Sequence, residues 1–75
     1  MVTAEVIIER IKSHLPTAEV KVRDLTGGGD HWSATIKAQE FRGKSLVEQH
    51  QMVYAALGEL MRQEIHALAL DTKEA

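Results

Sequence analysis

The sequence predicts a single small α+β domain, a three-stranded sheet covered by helices on one face. Three observations carry that reading. Apolar residues recur at helical spacing up to Leu15, switch to strict alternation over residues 18–39, and return to helical spacing after a capping signal at Ser45. The alternating stretch is broken once, by a glycine-rich loop, which makes it two strands of a hairpin. A last apolar run, residues 65–70, is too short for another helix and reads as a third strand.

In chain order, Thr3 is placed to cap a first helix and Glu5 favours its positive end, while Ala4, Ile7, Ile8, Ile11 and Leu15 share one face. Pro16 ends it. His14, in the last turn, interacts favourably with the helix dipole and is expected to face water. Ala18, Val20 and Val22 then alternate with Glu19, Lys21 and Arg23, the pattern of a half-buried strand. After Asp24-Leu25-Thr26-Gly27-Gly28-Gly29-Asp30 the alternation resumes, with Trp32, Ala34, Ile36 and Ala38 inward and Ser33, Thr35, Lys37 and Gln39 outward. The three glycines do not make a phosphate loop, because that motif needs a following Gly-Lys-Ser/Thr at a helix start and this loop leads into a strand. They are read as a long hairpin connection supplying positive φ. His31 stands at the mouth of the second strand on the solvent-facing parity, on a mobile loop where an imidazole can reach a metal held by a partner.

Phe41-Arg42-Gly43-Lys44-Ser45 turns the chain into the main helix, whose start is specified by the Ser45–Glu48 capping box. Leu46, His50, Val53, Leu57 and Leu60 follow at helical spacing, with Val47, Tyr54 and Met61 widening the stripe. Gly58 costs about 1 kcal/mol relative to Ala in a helix and marks a break or a close approach. His50, inside that stripe, is expected at the core edge with both nitrogens partnered. Residues 65–70 are apolar on both parities, as in a buried strand ending at Asp71-Thr72, with Leu68 and Leu70 toward the helices and His66 on their parity. A neutral imidazole there is either satisfied internally or held at an edge with its lone pair available.

Composition restricts the function. A chain of 75 residues makes one domain, 1–75, close to the size at which a single core only just offsets chain entropy. With no cysteine, neither a disulfide framework nor a thiolate zinc site holds it together. A net charge of −2 is not the basic footprint of a protein that grips phosphates. The first residues are not those of a signal peptide, and no run is long enough to span a membrane, so the expected compartment is cytoplasmic. No nucleophile stands with a base at motif spacing and the chain is too short to enclose a substrate, so no enzyme is expected.

Gly29-Asp30-His31-Trp32, then Phe41-x-Gly43-Lys44-Ser45-Leu46-Val47-x-x-His50-x-x-Val53-Tyr54-x-x-Leu57, then Ile65-His66-Ala67-Leu68-x-Leu70, taken in this order, resemble the BolA family from Val6 to Thr72. Phe41, Gly43, Ser45, His50 and Tyr54 are the markers of the central motif. The resemblance implies a fold similar to the type II KH domain, αββααβ with a mixed sheet, though without the GxxG loop that RNA-binding KH domains use. It also implies a non-enzymatic adaptor that pairs with a monothiol glutaredoxin around a bridging [2Fe-2S] cluster, in iron–sulfur trafficking or iron and redox sensing. His66 and His31 map onto the cluster ligands, the loop being of the histidine type, and the glutaredoxin with glutathione supplies the remaining ligands. The isolated chain is expected to bind no cluster and to be a monomer or weak homodimer. The family's alternative role, DNA-binding transcriptional regulation, would rest on Lys37, Arg42 and Lys44 through weak phosphate contacts. Gln49, where many members carry arginine, argues against it.

Overall fold

The computed structural model describes residues 2–75. Their order is α1 (Ala4–His14), β1 (Glu19–Asp24), β2 (His31–Ala38), a 3₁₀ turn (Gln39–Phe41), α2 (Leu46–Leu57), α3 (Glu59–Gln63) and β3 (Ala67–Glu74). Local signals set most of the boundaries. The Thr3 hydroxyl accepts the Val6 N–H at 3.3 Å, and Leu15 N–H closes the other end of α1 on the Ile11 carbonyl. Both halves of the predicted capping box are present at α2: Glu48 N–H donates to Ser45 Oγ, and Ser45 N–H donates to Glu48 Oε1. Gly58 divides the main helix in two at φ +52 and ψ −121, a conformation that side-chain-bearing residues rarely adopt.

The strand order is β1-β2-β3, with β1 antiparallel and β3 parallel to the central β2. Trp32, Ala34, Ile36 and Ala38 are all buried, as their alternation requires, while Lys21, Thr35 and Asp71 stand exposed in one cross-strand row on the opposite parity. The helices therefore cover one face, with α1 against β1 and α2, and α2 against β3. Ile7, Ile11, Ile36, Phe41, Val53 and Leu57 are the largest fully buried side chains. Phe41 enters this core from the 3₁₀ turn, and Gly43, at φ +75, turns the chain toward α2.

The structure corrects the reading of α2. Leu46, Val47 and Tyr54, assigned to the buried stripe, are exposed, Val47 by 66%. The buried residues are Gln49, Val53, Ala56 and Leu57, so Val53 and Leu57 of the predicted stripe face the core while Gln49 and Ala56 take the places assigned to Leu46 and Tyr54. The reason is a polar residue that is satisfied inside: Gln49 Nε2 donates to the Lys44 carbonyl at 3.1 Å, and its Oε1 accepts the Thr72 hydroxyl at 2.7 Å. His50 is half-buried at the core edge, as expected, but its Nε2 is buried with no hydrogen-bond partner, contrary to expectation.

The last strand also differs. It begins at Ala67 and runs to Glu74, past the predicted stop at Asp71-Thr72. It is an edge strand with β2 as its one neighbour, so Ala67 and Ala69 are exposed and Leu68 and Leu70 only half-buried. Ile65 is buried just ahead of the strand. His66 does not share the inward parity of Leu68 and Leu70, because it precedes the strand and points to solvent.

Candidate metal-ligand site

The hairpin loop brings His31 to its place through a network that the sequence does not advertise. The Asp24 carboxylate accepts the N–H groups of Thr26 and Gly27 on Oδ1 and that of Gly29 on Oδ2. The buried Trp32 indole donates to the Gly29 carbonyl at 3.0 Å. The segment is thus folded back on its own carboxylate, in place of the slack connection that three glycines imply, and His31 is the first residue of β2.

His66 reaches the same corner from the other end of the chain. Its N–H and that of Ala67 both donate to the Asp30 carbonyl, at 2.9 and 3.2 Å, which starts the parallel pairing in which His31 stands opposite Ala67. The two imidazoles lie with ring centroids 6.3 Å apart and planes inclined at 45°. Their side chains are 46% and 75% exposed, so a partner can reach both.

Asp30 sits between them. Its Oδ2 is 3.3 Å from His66 Nδ1 in hydrogen-bond geometry. Its Oδ1 is 3.1 Å from His31 Nδ1, close enough for an ion pair but bent away from the line of a hydrogen bond. His31 and then His66 hold the Asp30 carboxyl down at about 2, against the opposing effect of desolvation. An ionised carboxylate only accepts, so a neutral imidazole that hydrogen-bonds it does so through Nδ1–H and keeps its lone pair on Nε2. Imidazole–metal bonds of about 2 Å would set two rings on one tetrahedral metal with centroids about 5 Å apart. The observed centroids, 6.3 Å apart, are roughly 1 Å more widely spaced than that. The donor set fits two positions of a metal centre. Among the described residues, no three or more His, Cys, Asp or Glu side chains are grouped to hold a metal ion.

The remaining motif residues lie elsewhere. Phe41 is core, Ser45 is the cap of α2, Gly43 is a turn, Tyr54 is exposed and His50 is half-buried on α2. Lys37, Arg42 and Lys44 stand on three segments: strand β2, the turn after the 3₁₀ helix and the approach to α2. Lys37 stands on the open sheet face beside Glu19, Lys21 and Lys73, and Lys44 borders a shallow depression along α2 with Glu48 and Gln51. Arg42 Nε donates to the Ala75 carbonyl at 2.9 Å.

Comparison with known proteins agrees with this architecture. The family model described as BolA-like protein matches residues 2–75. The chain belongs to the BolA family. The Arabidopsis thaliana relative Protein BOLA2 is 41% identical over 71 residues, 93% of this chain and 75% of that protein. Among solved structures, BolA1 from Arabidopsis thaliana superposes with a TM-score of 0.87 at 25% identity, covering 99% of this chain and 94% of the other. A BolA homologue from Coxiella burnetii gives a TM-score of 0.82 at 33% identity, covering 99% and 92%. The BolA-family fold of this chain is the small α+β, class II KH-like domain with a mixed three-stranded sheet. No helix among the described residues is long and apolar enough to cross a membrane.

Sequence reasoning found both histidines of the corner but missed Asp24, Asp30 and Gln49. For Asp30 one signal was available, its place immediately before His31 in Gly-Asp-His-Trp. Its contact with His66 spans 36 positions and leaves no local trace.

Proposed function

We propose that this BolA-family chain is a non-enzymatic adaptor that pairs with a monothiol glutaredoxin and supplies His31 and His66 to a bridging [2Fe-2S] cluster. The observation that carries the reading is the convergence of two histidines, distant in sequence, on one accessible corner with centroids 6.3 Å apart. An iron–sulfur cluster bound there would supply one-electron chemistry, and two imidazoles in place of two thiolates on one iron raise its potential. The chain's own contribution is to bind and orient: β2 and β3 fix the two backbones in parallel register, and Asp30 takes the Nδ1 side of each ring. A half-set of ligands needs a partner for the rest. The glutaredoxin cysteine and a glutathione thiol complete the set, which makes the cluster a shared cargo in iron–sulfur trafficking or iron and redox sensing in the cytoplasm.

The test is reconstitution of the chain with a monothiol glutaredoxin, glutathione, iron and sulfide. A coloured heterodimer is expected, with visible absorption and circular dichroism that change in His66→Ala and in His31→Ala. The isolated chain is expected to stay colourless. A spectrum identical in wild type and both variants would overturn the assignment.

A further inference from the structure

We propose that Asp30 is a positioning residue that holds His31 and His66 in one tautomer and side by side in the free protein. What the rings then ligate rests on the function proposed above, whereas the positioning is a property of this chain alone.

The geometry divides one carboxylate between two rings, Oδ1 beside His31 Nδ1 and Oδ2 beside His66 Nδ1. The carboxylate is itself steadied by the Thr26 hydroxyl, which donates to Oδ1 at 3.3 Å. The main chain of the same residue accepts His66 N–H and Ala67 N–H. Asp30 therefore sets the register that brings the second histidine alongside and the rotation of both rings once they are there. His31 Nδ1 is buried and has no hydrogen-bond partner, so the Asp30 carboxylate 3.1 Å away is what offsets its desolvation electrostatically. With Nδ1–H directed at Asp30, Nε2 of each ring keeps its lone pair, the arrangement in which a carboxylate behind a histidine fixes its tautomer and raises its basicity as a ligand.

The alternative is that Asp30 matters only through its backbone carbonyl, as the staple between loop and strand. Asp30→Asn and Asp30→Ala separate the two, because both keep that carbonyl. Asparagine offers one accepting oxygen instead of two, and alanine offers none. The readout is the long-range proton–nitrogen NMR correlation of the imidazoles in the metal-free chain at about pH 8, where a free imidazole is neutral. Wild type is expected to show the Nδ1–H form at both histidines. Asp30→Asn should release one ring, and Asp30→Ala both, into the other tautomer or a mixture, with β3 amide resonances in place. A wild-type ring found in the Nε2–H form, or both rings unmoved in Asp30→Ala, would overturn the proposal. The wild-type spectrum alone decides it should the variants not fold.

A second measurement uses the complex. Asp30→Ala should lower affinity for the cluster shared with the glutaredoxin by ~10–100-fold, the usual cost of losing the group behind a metal-binding histidine. An unchanged affinity would confine Asp30 to a structural part and overturn its positioning role. A wild-type complex that never forms a cluster would count against the proposed function, and the tautomers of the free chain would still answer for Asp30.

Discussion

The Thr72 hydroxyl donates to Gln49 Oε1 at 2.7 Å inside the protein, tying the C-terminal half of an edge strand to the face of α2. This contact satisfies Gln49 on the buried side of the helix. It also separates two regions of the molecule. Thr72 lies six residues along from His66, roughly 20 Å at the rise of a strand, so exposed Leu46 and Val47 at the start of α2 lie toward the end of β3 away from the histidines.

The pair makes a clear prediction for stability. Gln49→Ala leaves the Thr72 hydroxyl and the Lys44 carbonyl without their partner and should cost about 1–3 kcal/mol in urea unfolding. Combining Gln49→Leu with Thr72→Val removes both polar groups at similar volume and should recover most of the loss. The double-mutant cycle measures the coupling directly.

His50 should behave in the opposite sense. Its Nε2 is buried without a partner, so His50→Leu removes an unpaid desolvation and should leave stability unchanged or raise it by up to about 1 kcal/mol. Cluster loading with the glutaredoxin should survive this change, unlike His66→Ala. A destabilisation beyond about 1 kcal/mol would show that the nitrogen has a partner after all.

Gly58→Ala tests the break between α2 and α3. An added Cβ would meet only the Ala55 carbonyl at 3.9 Å, so there is room for it. The penalty is conformational, about 1–3 kcal/mol for holding alanine at φ +52 and ψ −121. Thermal unfolding should register it as a lowered Tm. A gain in stability would mean that the two helices can merge into one.

Acid stability follows from Asp30. Its carboxyl is held at about 2 in the folded chain, below the value of about 3.9 expected when unfolded. A depressed carboxylate stabilises the fold fully above the unfolded value, and its contribution disappears as pH falls through the folded one. Between about pH 4 and pH 2 wild type should therefore lose stability more steeply than Asp30→Asn. Parallel curves for the two proteins across that window would show that the carboxylate is not linked to folding.

The sequence by itself determined the elements, because their signals lie within a few residues of one another. Thr3, the Ser45–Glu48 box and Gly58 each act over one helical turn, and the alternation from Trp32 to Ala38 records which side of a strand meets the core. It also marked His66 as a polar residue in an apolar run and placed His31 at the mouth of the second strand. Tertiary structure alone decided the strand order, the edge position of β3 and the face of α2 that is buried. Leu46, Val47 and Tyr54 made the more apolar stripe, yet a helix buries the side that its neighbours can satisfy, and Thr72 could satisfy Gln49. The same reason hid Asp30, since a carboxylate becomes the centre of a histidine pair only when a parallel strand brings the second ring across 36 positions of chain.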